Sequence, residues 1–579
     1  MRYHVLAVDF DGTLADNGRV DEPTLNALNK FLATGRHLVM VTGRELPELL
    51  AAFPQIDLFE WVVAENGGLL YRPSTKKERL ITEPPSEKLI QALQRRGVAP
   101  LSVGKSILAT WHPHETVVLE SIRDLGLDLQ IIFNKGAVMI LPAGVNKAFG
   151  FAAALKEMGI SEHNAVGIGD AENDHAFLRK CELSAAVFNA LPAVKQSVDL
   201  VTNTDHGGGV AELIELIVAD DLCSLDERLT RHYLSLGTKD GEEVLLPSYG
   251  SNVLICGPSG SGKSTVARRV VEAIMEQSYQ FCLIDPEGDY EAFEGAVVLG
   301  GPKGLPQVEE VLHLLENPDA NAVVCLTGMP IPDRPPFFLG LMSQLLQMRN
   351  LTGHPHWLIL DEAHHLMPAE WLPPAESILE QLHNTLLITV QPNLLAEALL
   401  ERVNTVIALG SDASQTLDSF AIATKSIPPA VETTNLELGE LLLWMRGKGS
   451  PPVKVQAYPS KMECQRHHRK YAEGELPADR SFYFQGPEGK LNLRAQNLIS
   501  FLQLADGVDD ATWEHHLRRG DYSQWFRENI KDEALAATAQ RIADLPNVSA
   551  LESRQLIRTA VEQDYTLPAS SPLHVPGAS

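Results

Sequence analysis

The sequence predicts an α/β protein built on two parallel sheets and followed by a mainly helical region. Short apolar strands alternate with amphipathic helical stretches through the first 219 residues, and the alternation restarts after a polar interval near Asp220. From about Phe482 the apolar residues recur at helical spacing instead, as in Leu491, Ala495 and Leu498. Several strands end in glycine or acidic residues, so we expect the chemistry at the carboxyl ends of the parallel strands.

Length and composition narrow the class of protein. The chain has 579 residues, enough for roughly three or four domains. Its 48 Lys and Arg against 75 Asp and Glu give a net charge of -27, which argues against a surface that wraps nucleic acid, although a local basic channel stays compatible. No signal-like segment precedes Asp9 and no apolar run approaches the ~18 residues of a membrane span, so we expect a cytoplasmic protein without a membrane partner.

Changes of pattern along the chain predict its domain organisation. Within the first α/β region, "SILATWHPH" and "LQIIFNKGAVMILPAG" break the strand–helix rhythm and predict a small α+β insertion. The expected regions are a first α/β domain at 1–219 with the insertion at about 72–143, a second α/β domain at 220–460, a polar connector at 461–481, a helical domain at 482–565 and a disordered tail at 566–579.

The stretch "VLAVDFDGTLAD" runs an apolar strand directly into Asp9 and Asp11. Because side chains alternate along a strand, both carboxylates lie on one side of the chain, and such close like charges favour a bound cation or a shared proton. One carboxylate can attack a phosphoryl group while the other protonates the leaving oxygen and later activates water. A DxD pair alone is more often a turn or a helix cap, so further residues must support this chemistry.

Three later segments supply the supporting residues. Thr42 lies in "VTGR", Lys147 in "PAGVNKAFG", and Asp170 and Asp174 in "GIGDAENDHAF". A lone lysine is usually a solvated helix residue, but a lysine in this series can stabilise phosphoryl oxygens while acidic side chains hold a metal.

Together, DFDGTL, VTGR, Lys147 and GDAEND resemble the four motifs of the haloacid dehalogenase-like phosphatases over about residues 1–219. The resemblance implies Asp9 as the nucleophile and Asp11 as the general acid/base. It also implies Mg²⁺ held by Asp9, the Asp11 carbonyl and Asp170, with Asp174 in support. The candidate phosphate-binding residues are Thr42, Gly43, Arg44, Lys147 and Asn173. For Arg44, an ion pair within the protein is the alternative role.

The insertion resembles the cap of the Cof-type subgroup of these phosphatases. The segments "ENGG", at Glu65–Gly68, and "FNALPAVKQSVDLVT" are similar to that subgroup as well. The implied fold is a Rossmannoid phosphatase core with an α+β cap. Because a cap closes over the site, small phosphate esters are favoured over phosphoproteins or duplexes.

The second α/β region contains a phosphate-binding signature. GPSGSGKS fits G-x-x-x-x-G-K-[ST] between an apolar strand and a predicted helix, and such a loop cradles phosphates with its backbone N–H groups. Lys263 would reach the β- and γ-phosphate oxygens, and Ser264 would hold Mg²⁺. The candidate ATP-binding residues are Gly257, Pro258, Ser259, Gly260, Ser261, Gly262, Lys263, Ser264 and Thr265.

Acidic residues after a later strand predict ATP hydrolysis. "HWLILDEAHH" supplies Asp361 for the metal and Glu362 as the base that activates water, which favours hydrolysis over transfer to a small acceptor. Gln391 ends the strand "LLITVQP", where it could sense the γ-phosphate; a structural role is the alternative.

With "LIDPEGDY", "RVNTVIALG" and "LELGELLLWMRGKGSPPVKV", this P-loop α/β domain resembles the HerA/FtsK-type ATPases over roughly residues 221–460. The resemblance implies a ring, usually hexameric, in which a neighbour's arginine completes the ATP site. Arg446 is the candidate for that arginine, and a surface arginine is the alternative. The amino-terminal barrel and an obvious basic pore loop of DNA-pumping relatives are absent from the sequence, so DNA is a less favoured partner.

The C-terminal mainly helical domain resembles an uncharacterised helical domain found fused to other ATPases. His515 and His516 are adjacent and would point in different directions on a helix, which favours structural roles over a metal site. We expect this domain to serve interaction or assembly.

The sequence thus predicts a Mg²⁺-dependent phosphatase for a small phosphorylated metabolite, fused to a ring-forming ATPase that regulates or assembles it. One alternative is a polynucleotide kinase/phosphatase, against which the DEAHH segment and the cap insertion argue. Another is a DNA-associated translocase or defence machine that uses the phosphatase on nucleotides. A third is a nucleotide-gated scaffold, which Glu362 makes less favoured.

Overall fold

The computed structural model divides the chain into two compact units, Met1–Pro459 and Ser460–Ser579. Most of the expected connector and all of the expected tail lie outside the described residues. Among the helices of the described residues, none combines the length and the apolar character needed to cross a bilayer. The structure describes residues 1–134, 136–258, 260–302, 304–371, 380–431, 436–437, 439–446, 451–461, 476, 480–487, 489, 491–530, 532–546 and 548–564.

The first part of the chain forms an eight-stranded sheet. Its strands are β1 (Val5–Val8), β2 (His37–Val41), β3 (Trp61–Ala64), β4 (Leu69–Arg72), β5 (Lys77–Leu80), β10 (Ala165–Gly169), β11 (Leu183–Ala186) and β12 (Leu200–Val201). Their order is β12-β11-β10-β1-β2-β3-β4-β5, parallel from β12 to β3 and antiparallel at β4 and β5. Although β5 falls within the range expected for the cap, it pairs with this sheet as the second strand of the β4–β5 hairpin.

Helices pack beside this sheet and bury its apolar side chains. Asp21 caps the first helix by accepting from the N–H of Thr24, and Asn146 caps the helix of Lys147 by accepting from the N–H of Phe149. The helices are α1 (Glu22–Leu32), α2 (Leu46–Ala52), α5 (Lys147–Met158), α6 (His175–Lys180), α7 (Pro192–Lys195) and α8 (His206–Asp220). The central strands β1 and β10 are fully buried, which fixes the strand ends that carry the acidic residues.

The inserted segment is a separate α+β layer with its own small core. Its two helices pack on a four-stranded antiparallel sheet through apolar residues that include Leu89, Val118 and Ile140. The elements are β6 (Ser102–Val103), β7 (Leu108–Trp111), β8 (Leu129–Asn134), β9 (Ala137–Pro142), α3 (Glu87–Arg95) and α4 (Glu115–Leu125), with the strand order β6-β7-β9-β8.

The second α/β region forms an eleven-stranded sheet. Its strands are β13 (Leu234–Lys239), β14 (Glu242–Leu246), β15 (Asn252–Cys256), β16 (Phe281–Asp285), β17 (Val297–Gly300), β18 (Ala322–Cys325), β19 (Trp357–Leu360), β20 (Thr385–Thr389), β21 (Thr405–Ala408), β22 (Glu440–Met445) and β23 (Val453–Ala457). Their order is β14-β13-β23-β22-β21-β15-β20-β19-β16-β18-β17, parallel from β21 to β17 and antiparallel in the other four strands.

In the described part of this region five helices accompany the second sheet, and the strand β15 leads directly into the glycine-rich loop. The helices are α9 (Lys263–Glu276), α10 (Val308–Leu315), α11 (Arg334–Thr352), α12 (Glu397–Leu400) and α13 (Ala413–Ala423). The predicted α/β fold class, with a second P-loop-like domain, is confirmed.

The C-terminal unit is mainly helical, as predicted. Aromatic side chains fill its core, where the Phe501 ring lies 5.2 Å from the Trp525 ring and the Trp513 ring 4.5 Å from the Tyr522 ring. His516 is buried in this core, where its Nδ1 is 2.7 Å from an Asp521 carboxylate oxygen. The elements are β24 (Phe482–Phe484), β25 (Leu493–Ala495), α14 (Leu498–Gly507), α15 (Asp510–Arg519), α16 (Asp521–Trp525), α17 (Glu533–Ala543) and α18 (Ala550–Asp564).

Within the first unit, the two α/β regions meet through a buried polar junction centred on Glu182. Its carboxylate accepts from the Arg2 guanidinium at 2.5 Å, from the Tyr279 hydroxyl at 2.9 Å and from His163 Nδ1 at 2.6 Å. Burial alone would raise the pKa of Glu182, but Arg2 and then His163 bring it well below its usual range. The junction therefore depends on an ionised Glu182.

The junction also joins the amino-terminal ends of the strands in the two sheets. Asn164 precedes β10, His356 precedes β19, and His356 Nε2 lies 3.1 Å from Asn164 Oδ1. Glu182 precedes β11, and Tyr279 lies shortly before β16. The carboxyl ends of these strands, where both signatures lie, are therefore the ends remote from the junction.

We predict that Glu182→Gln destabilises the first unit by about 3–5 kcal/mol, because it removes the buried charge partner of Arg2 and leaves its guanidinium with the more exposed Asp226 alone. Calorimetric unfolding at neutral pH measures the effect, and Glu162→Gln, which removes a surface pair with Lys180, is the control. Since the folded-state pKa of Glu182 is depressed, the difference from the parent should shrink as the pH falls below about 4.5. Equal stability of the two variants at neutral pH would contradict the prediction.

Candidate functional site

The first site lies at the carboxyl ends of three adjacent parallel strands. Asp9 follows β1, Thr42 follows β2 and Asp170 follows β10. Because β1 pairs with both β2 and β10, these residues come together at one edge of the sheet. Motifs that lie far apart in the sequence are therefore close in space, because β10, β1 and β2 are neighbours in the sheet.

Lys147 is the centre of this site. As the first residue of α5, it places Nζ 2.5 Å from Asp9 Oδ1 and 2.5 Å from Asp174 Oδ1. All three side chains are buried. A buried ammonium group with two carboxylate partners is therefore the centre of positive charge in this cluster.

The charges in this cluster perturb one another strongly. Burial and then the Asp174 carboxylate raise the pKa of Asp9 well above its usual range, while Lys147 acts in the opposite direction. Burial alone would lower the pKa of Lys147, but Asp174 and Asp9 raise it above its usual value. The lysine is therefore cationic at neutral pH, and the carboxylates are crowded enough to favour a further cation.

Three carboxylates of the cluster could hold such a cation. Ligand atoms of Asp9, Asp170 and Asp174 lie within 4.8 Å of one another, and all three residues are buried. Carboxylate oxygens are the ligands that Mg²⁺ prefers. Asp174 also accepts from the N–H groups of Asp170 and Ala171 at 2.8 and 2.9 Å, which fixes its orientation. The donor set therefore fits a hard divalent ion.

Asp11 lies apart from the Lys147 cluster and is paired with Arg44. The guanidinium donates from Nε and Nη2 to the two carboxylate oxygens at 2.6 and 2.5 Å. The ion pair that the sequence left as an alternative role for Arg44 is therefore present. The Asp11 side chain is 42% exposed, so it can meet a leaving group or a water molecule.

The remaining candidate phosphate ligands lie around the same edge. The Thr42 hydroxyl oxygen accepts from the N–H of Arg44 at 3.1 Å, which shapes the loop that contains Gly43. The Asn173 amide donates to Asn66 Oδ1 at 3.1 Å, and its own Oδ1 is buried without a hydrogen-bond partner among the described residues.

A cavity of about 480 Å³ opens between the core and the cap in front of Asp9 and Asp11. The core supplies the loop around Gly43 and Arg44, and the cap supplies the opposite wall. The cap residues that line it are Pro100, Ser102, Ile107, Ala109, Thr110, Trp111, Asn134, Ala137 and Met139.

The second site forms where β15 meets α9. Gly257, Gly260 and Gly262 all have positive φ, and the loop between them ends in Lys263 at the start of the helix. Lys263 Nζ donates to the Pro258 carbonyl at 3.1 Å, so the ammonium lies inside the loop. Ser261, Ser264 and Thr265 are partly exposed around it, whereas Ser259 lies outside the described residues.

Two acidic residues follow β19 in this region. Burial and then the nearby Asp285 carboxylate raise the pKa of Asp361 to about 8. Burial also raises the pKa of Glu362, and Lys263 opposes this shift. Glu362 has φ +39°, and its buried Oε2 lies 3.4 Å from His364 Nδ1 without forming a hydrogen bond among the described residues. A strained backbone that aims a carboxylate oxygen in this way is typical of functional sites.

The other two candidates of the second site have different surroundings. Gln391 follows β20, and its side chain is exposed. The Arg446 guanidinium donates to the Val403 carbonyl at 2.7 Å and lies 5.1 Å from the Phe420 ring centre. The backbone N–H of Arg446 donates to the carbonyl of Asn404, which lies at the amino-terminal end of β21. Because β21 runs parallel to β15, this end is opposite to the one from which the glycine-rich loop of the same chain begins.

Two features of the first site were not identified from the sequence as functional. One is the partner of Arg44, since the sequence left an ion pair open but did not indicate Asp11 as its acceptor. The other is the turn Glu65–Gly68, in which Glu65 and Asn66 have positive φ. The segment "ENGG" was the available signal, because glycines next to two polar residues favour left-handed backbone.

The described geometry agrees with the comparisons. A family profile described as haloacid dehalogenase-like hydrolase matches residues 6–109 and 124–214, and a profile described as AAA domain matches residues 247–396. The chain belongs to the haloacid dehalogenase-like hydrolase family through its first region. It is a phosphatase of that family fused to an AAA domain of the P-loop type.

Named relatives match the first region almost over their full length. The phosphoglycolate phosphatase of Methanothermobacter thermautotrophicus is 32% identical over 218 residues, which are 36% of this chain and 96% of the relative. Phosphoglycolate phosphatase 2 of Saccharolobus solfataricus is 30% identical over 37% of this chain and 92% of the relative. A crystal structure of a haloacid dehalogenase-like hydrolase from Bacteroides thetaiotaomicron is 19% identical, with a TM-score of 0.33, over 37% of this chain and 99% of that one.

We predict that, in the absence of nucleotide, Mg²⁺ raises the thermal midpoint of the parent protein, because a cation that binds the carboxylate cluster stabilises the folded state. At a Mg²⁺ concentration of 100 times the Kd, the gain in the free energy of unfolding is about 2.7 kcal/mol. Asp170→Asn should remove most of this rise. Asp361→Asn, which leaves the first cluster intact, is the control for the second site. An undiminished Mg²⁺ effect in Asp170→Asn would contradict the assignment of the cation to the first site.

Proposed function

We propose that the first region hydrolyses a small phosphate monoester through an aspartyl-phosphate on Asp9, with Mg²⁺ as cofactor. The observation that carries this proposal is the contact of buried Lys147 with both Asp9 and Asp174. The Lys147 ammonium would attract the phosphoryl group of the substrate, and its bond to Asp9 holds the nucleophilic carboxylate beside that phosphoryl group.

The steps follow from the positions of the two carboxyl groups. An oxygen of Asp9 attacks phosphorus, the bond to the leaving oxygen breaks, and Asp11 donates a proton to that oxygen. Asp11 then accepts a proton from water as the water attacks phosphorus, and the bond to Asp9 breaks to release inorganic phosphate. Mg²⁺, held by Asp9, the Asp11 carbonyl and Asp170, would neutralise charge on the phosphoryl oxygens. The bidentate bond to Arg44 fits the ionised form of Asp11, which accepts the proton from water. For the first step Asp11 carries a proton on one oxygen, and that oxygen gives up its bond to Arg44.

The cavity supports a compact substrate. Phosphoglycolate is the first candidate, because the relatives named above are phosphoglycolate phosphatases. A hydroxyl-rich ester is the second candidate, since Ser102 and Thr110 line the cavity together with the carboxylates of Glu45 and Glu48. Among the described lining residues, Arg44 is the one cationic side chain, and a substrate carboxylate would have to share it with Asp11.

For the second region we propose ATP binding and hydrolysis in a ring of identical subunits, with a HerA/FtsK-like hexamer as the favoured form. The support is the placement of Lys263 inside the glycine-rich loop and of Asp361 and Glu362 at the end of β19. Asp361 and Ser264 would hold Mg²⁺, and Glu362 would activate water. The contacts of Arg446 support a structural role in its own subunit.

We further propose that the nucleotide state acts on the phosphatase through the junction at Glu182. A direct hand-over of a phosphoryl group is less favoured, since both sites lie at the strand ends remote from that junction. The same arrangement and the cap weigh against a polynucleotide kinase/phosphatase. The charge of -27 weighs against a DNA translocase.

Asp9→Asn should lose phosphatase activity by at least about 10⁴-fold, because an amide cannot form the acyl phosphate. A screen of phosphoglycolate and sugar phosphates with the parent identifies the substrate, and release of inorganic phosphate measures turnover. Asp57→Asn, a substitution outside the lining of the cavity, is the control. Residual turnover of a tenth or more in Asp9→Asn would contradict the role of Asp9.

Lys263→Ala should prevent ATP binding, whereas Glu362→Gln should retain binding and lose hydrolysis by roughly 10²–10⁴-fold. Nucleotide binding and ATP turnover of both variants measure these effects. Phosphatase turnover is then followed with and without ATP at equal oligomeric state. If the parent responds to ATP no more than Lys263→Ala does, the coupling proposal is wrong.

A further inference from the structure

The turn Glu65–Gly68 is hydrogen-bonded to the Thr42–Arg44 loop of the first site. The N–H of Glu65 donates to the Arg44 carbonyl at 2.9 Å, and the N–H of Asn66 donates to the Thr42 carbonyl at 3.0 Å. Both bonds hold the turn at the carboxyl end of β2, next to the catalytic edge of the sheet.

The same turn packs on the start of the helix that carries Lys147. A methyl group on Gly67 would lie 1.9 Å from the Asn146 carbonyl oxygen, and one on Gly150 would lie 2.6 Å from the Gly67 Cα. Since these distances leave no room for a side chain, backbone meets backbone here. Any shift of the turn would therefore move the first turn of α5.

The Glu65 side chain extends from this turn to the cap. It is 1% exposed, and its carboxylate accepts from the N–H of Lys105 at 3.1 Å, from the N–H of Ser106 at 2.6 Å and from the Ser106 hydroxyl at 2.8 Å. Charge-assisted bonds of this kind are about twice as strong as neutral ones. One buried carboxylate thus fixes the segment that joins β6 to β7.

The β6–β7 hairpin forms much of the cap wall of the cavity. Ser102, Ile107, Thr110 and Trp111, all in or beside this hairpin, line the space in front of Asp9. The position of that wall relative to the nucleophile is therefore set through Glu65.

The backbone of the turn is strained in a way that favours this assignment. Glu65 has φ +51° and Asn66 has φ +55°, in the left-handed region that side chains other than glycine rarely adopt. Strain of this kind persists where surrounding contacts over-determine it, and it clusters at functional sites. Here the left-handed backbone directs the Glu65 carboxylate away from the core and onto the cap.

We propose that Glu65 is a positioning residue of the phosphatase: its carboxylate holds the β6–β7 hairpin so that the cap wall closes on the leaving group in register with Asp9. The inference rests on the proposed phosphatase function. Glu65 itself touches no reacting atom. Its carboxylate acts on the substrate through the hairpin, while the backbone of the turn stays anchored to the Thr42–Arg44 loop.

The test compares Glu65→Gln with the parent on the best small ester and on p-nitrophenyl phosphate, whose leaving group needs no cap contact. An amide places a donor against backbone donors, so kcat/KM on the small ester should fall roughly 10- to 100-fold. The loss on p-nitrophenyl phosphate and the change in Ki for inorganic phosphate should stay within about threefold. Ser106→Ala, which removes one of the three bonds, should give a smaller loss in the same direction.

Glu78→Gln is the matched control, because exposed Glu78 pairs with the Lys105 ammonium and not with the backbone of the hairpin. It should leave both substrates unchanged. Equal losses on both substrates and on phosphate binding in Glu65→Gln, or no loss at all, would overturn the proposal.

Hydrogen exchange keeps this test separate from the proposed function. In Glu65→Gln the amides of Lys105 and Ser106 should exchange at least about 10-fold faster than in the parent, while those of the Thr42–Arg44 loop keep their rates. Unchanged exchange at Lys105 and Ser106 would overturn the positioning role. If the parent hydrolyses no phosphate ester, the proposed function fails whereas the exchange result still decides how the hairpin is held.

Discussion

The first site depends on one buried cation, the Lys147 ammonium, lying between Asp9 and Asp174. Removing three charged groups from water is costly, and the cluster is stable because each carboxylate has a charged partner at hydrogen-bond distance. The same neutralisation allows the Asp9 and Asp174 carboxylates to approach each other at the strand ends where we propose that the phosphoryl group binds. The stability of the cluster and its proposed chemistry therefore both require the start of α5 and the surrounding strand ends to hold Lys147 between the two carboxylates.

The surroundings of Lys147 explain why so many backbone segments converge on this point. The Asn146 cap sets the first turn of the helix, Gly67 packs against that turn, and the Asp174 carboxylate is oriented by backbone N–H groups. Each contact restricts a different degree of freedom of the ammonium group. A site assembled in this way is preorganised, since little reorganisation is left for the moment of reaction.

Much of the fold and of the first site could be predicted from the sequence, because strand alternation and strand-end motifs are local signals. Asp9, Asp170 and Lys147 converge as expected once parallel strands place their carboxyl ends at one edge. The bond between Asp11 and Arg44 depends on rotamers, and the bonds of Glu65 join residues about 40 positions apart, so neither leaves a periodic pattern. The junction at Glu182 depends on how two domains dock, which the composition of each domain does not encode.

The polar junction also bears on how such a chain could arise. The relative from Methanothermobacter thermautotrophicus is matched over 96% of its length by the first region alone, so it has little chain left for an ATPase. In a free-standing enzyme of that size, the face before β10 and β11 would meet water. Here Asn164 and Glu182 on that face contact His356 and Tyr279 of the second region. A surface that would be exposed in a free-standing enzyme is therefore buried in the fused chain. Separating the two halves would therefore require the buried polar groups of the junction to be hydrated again.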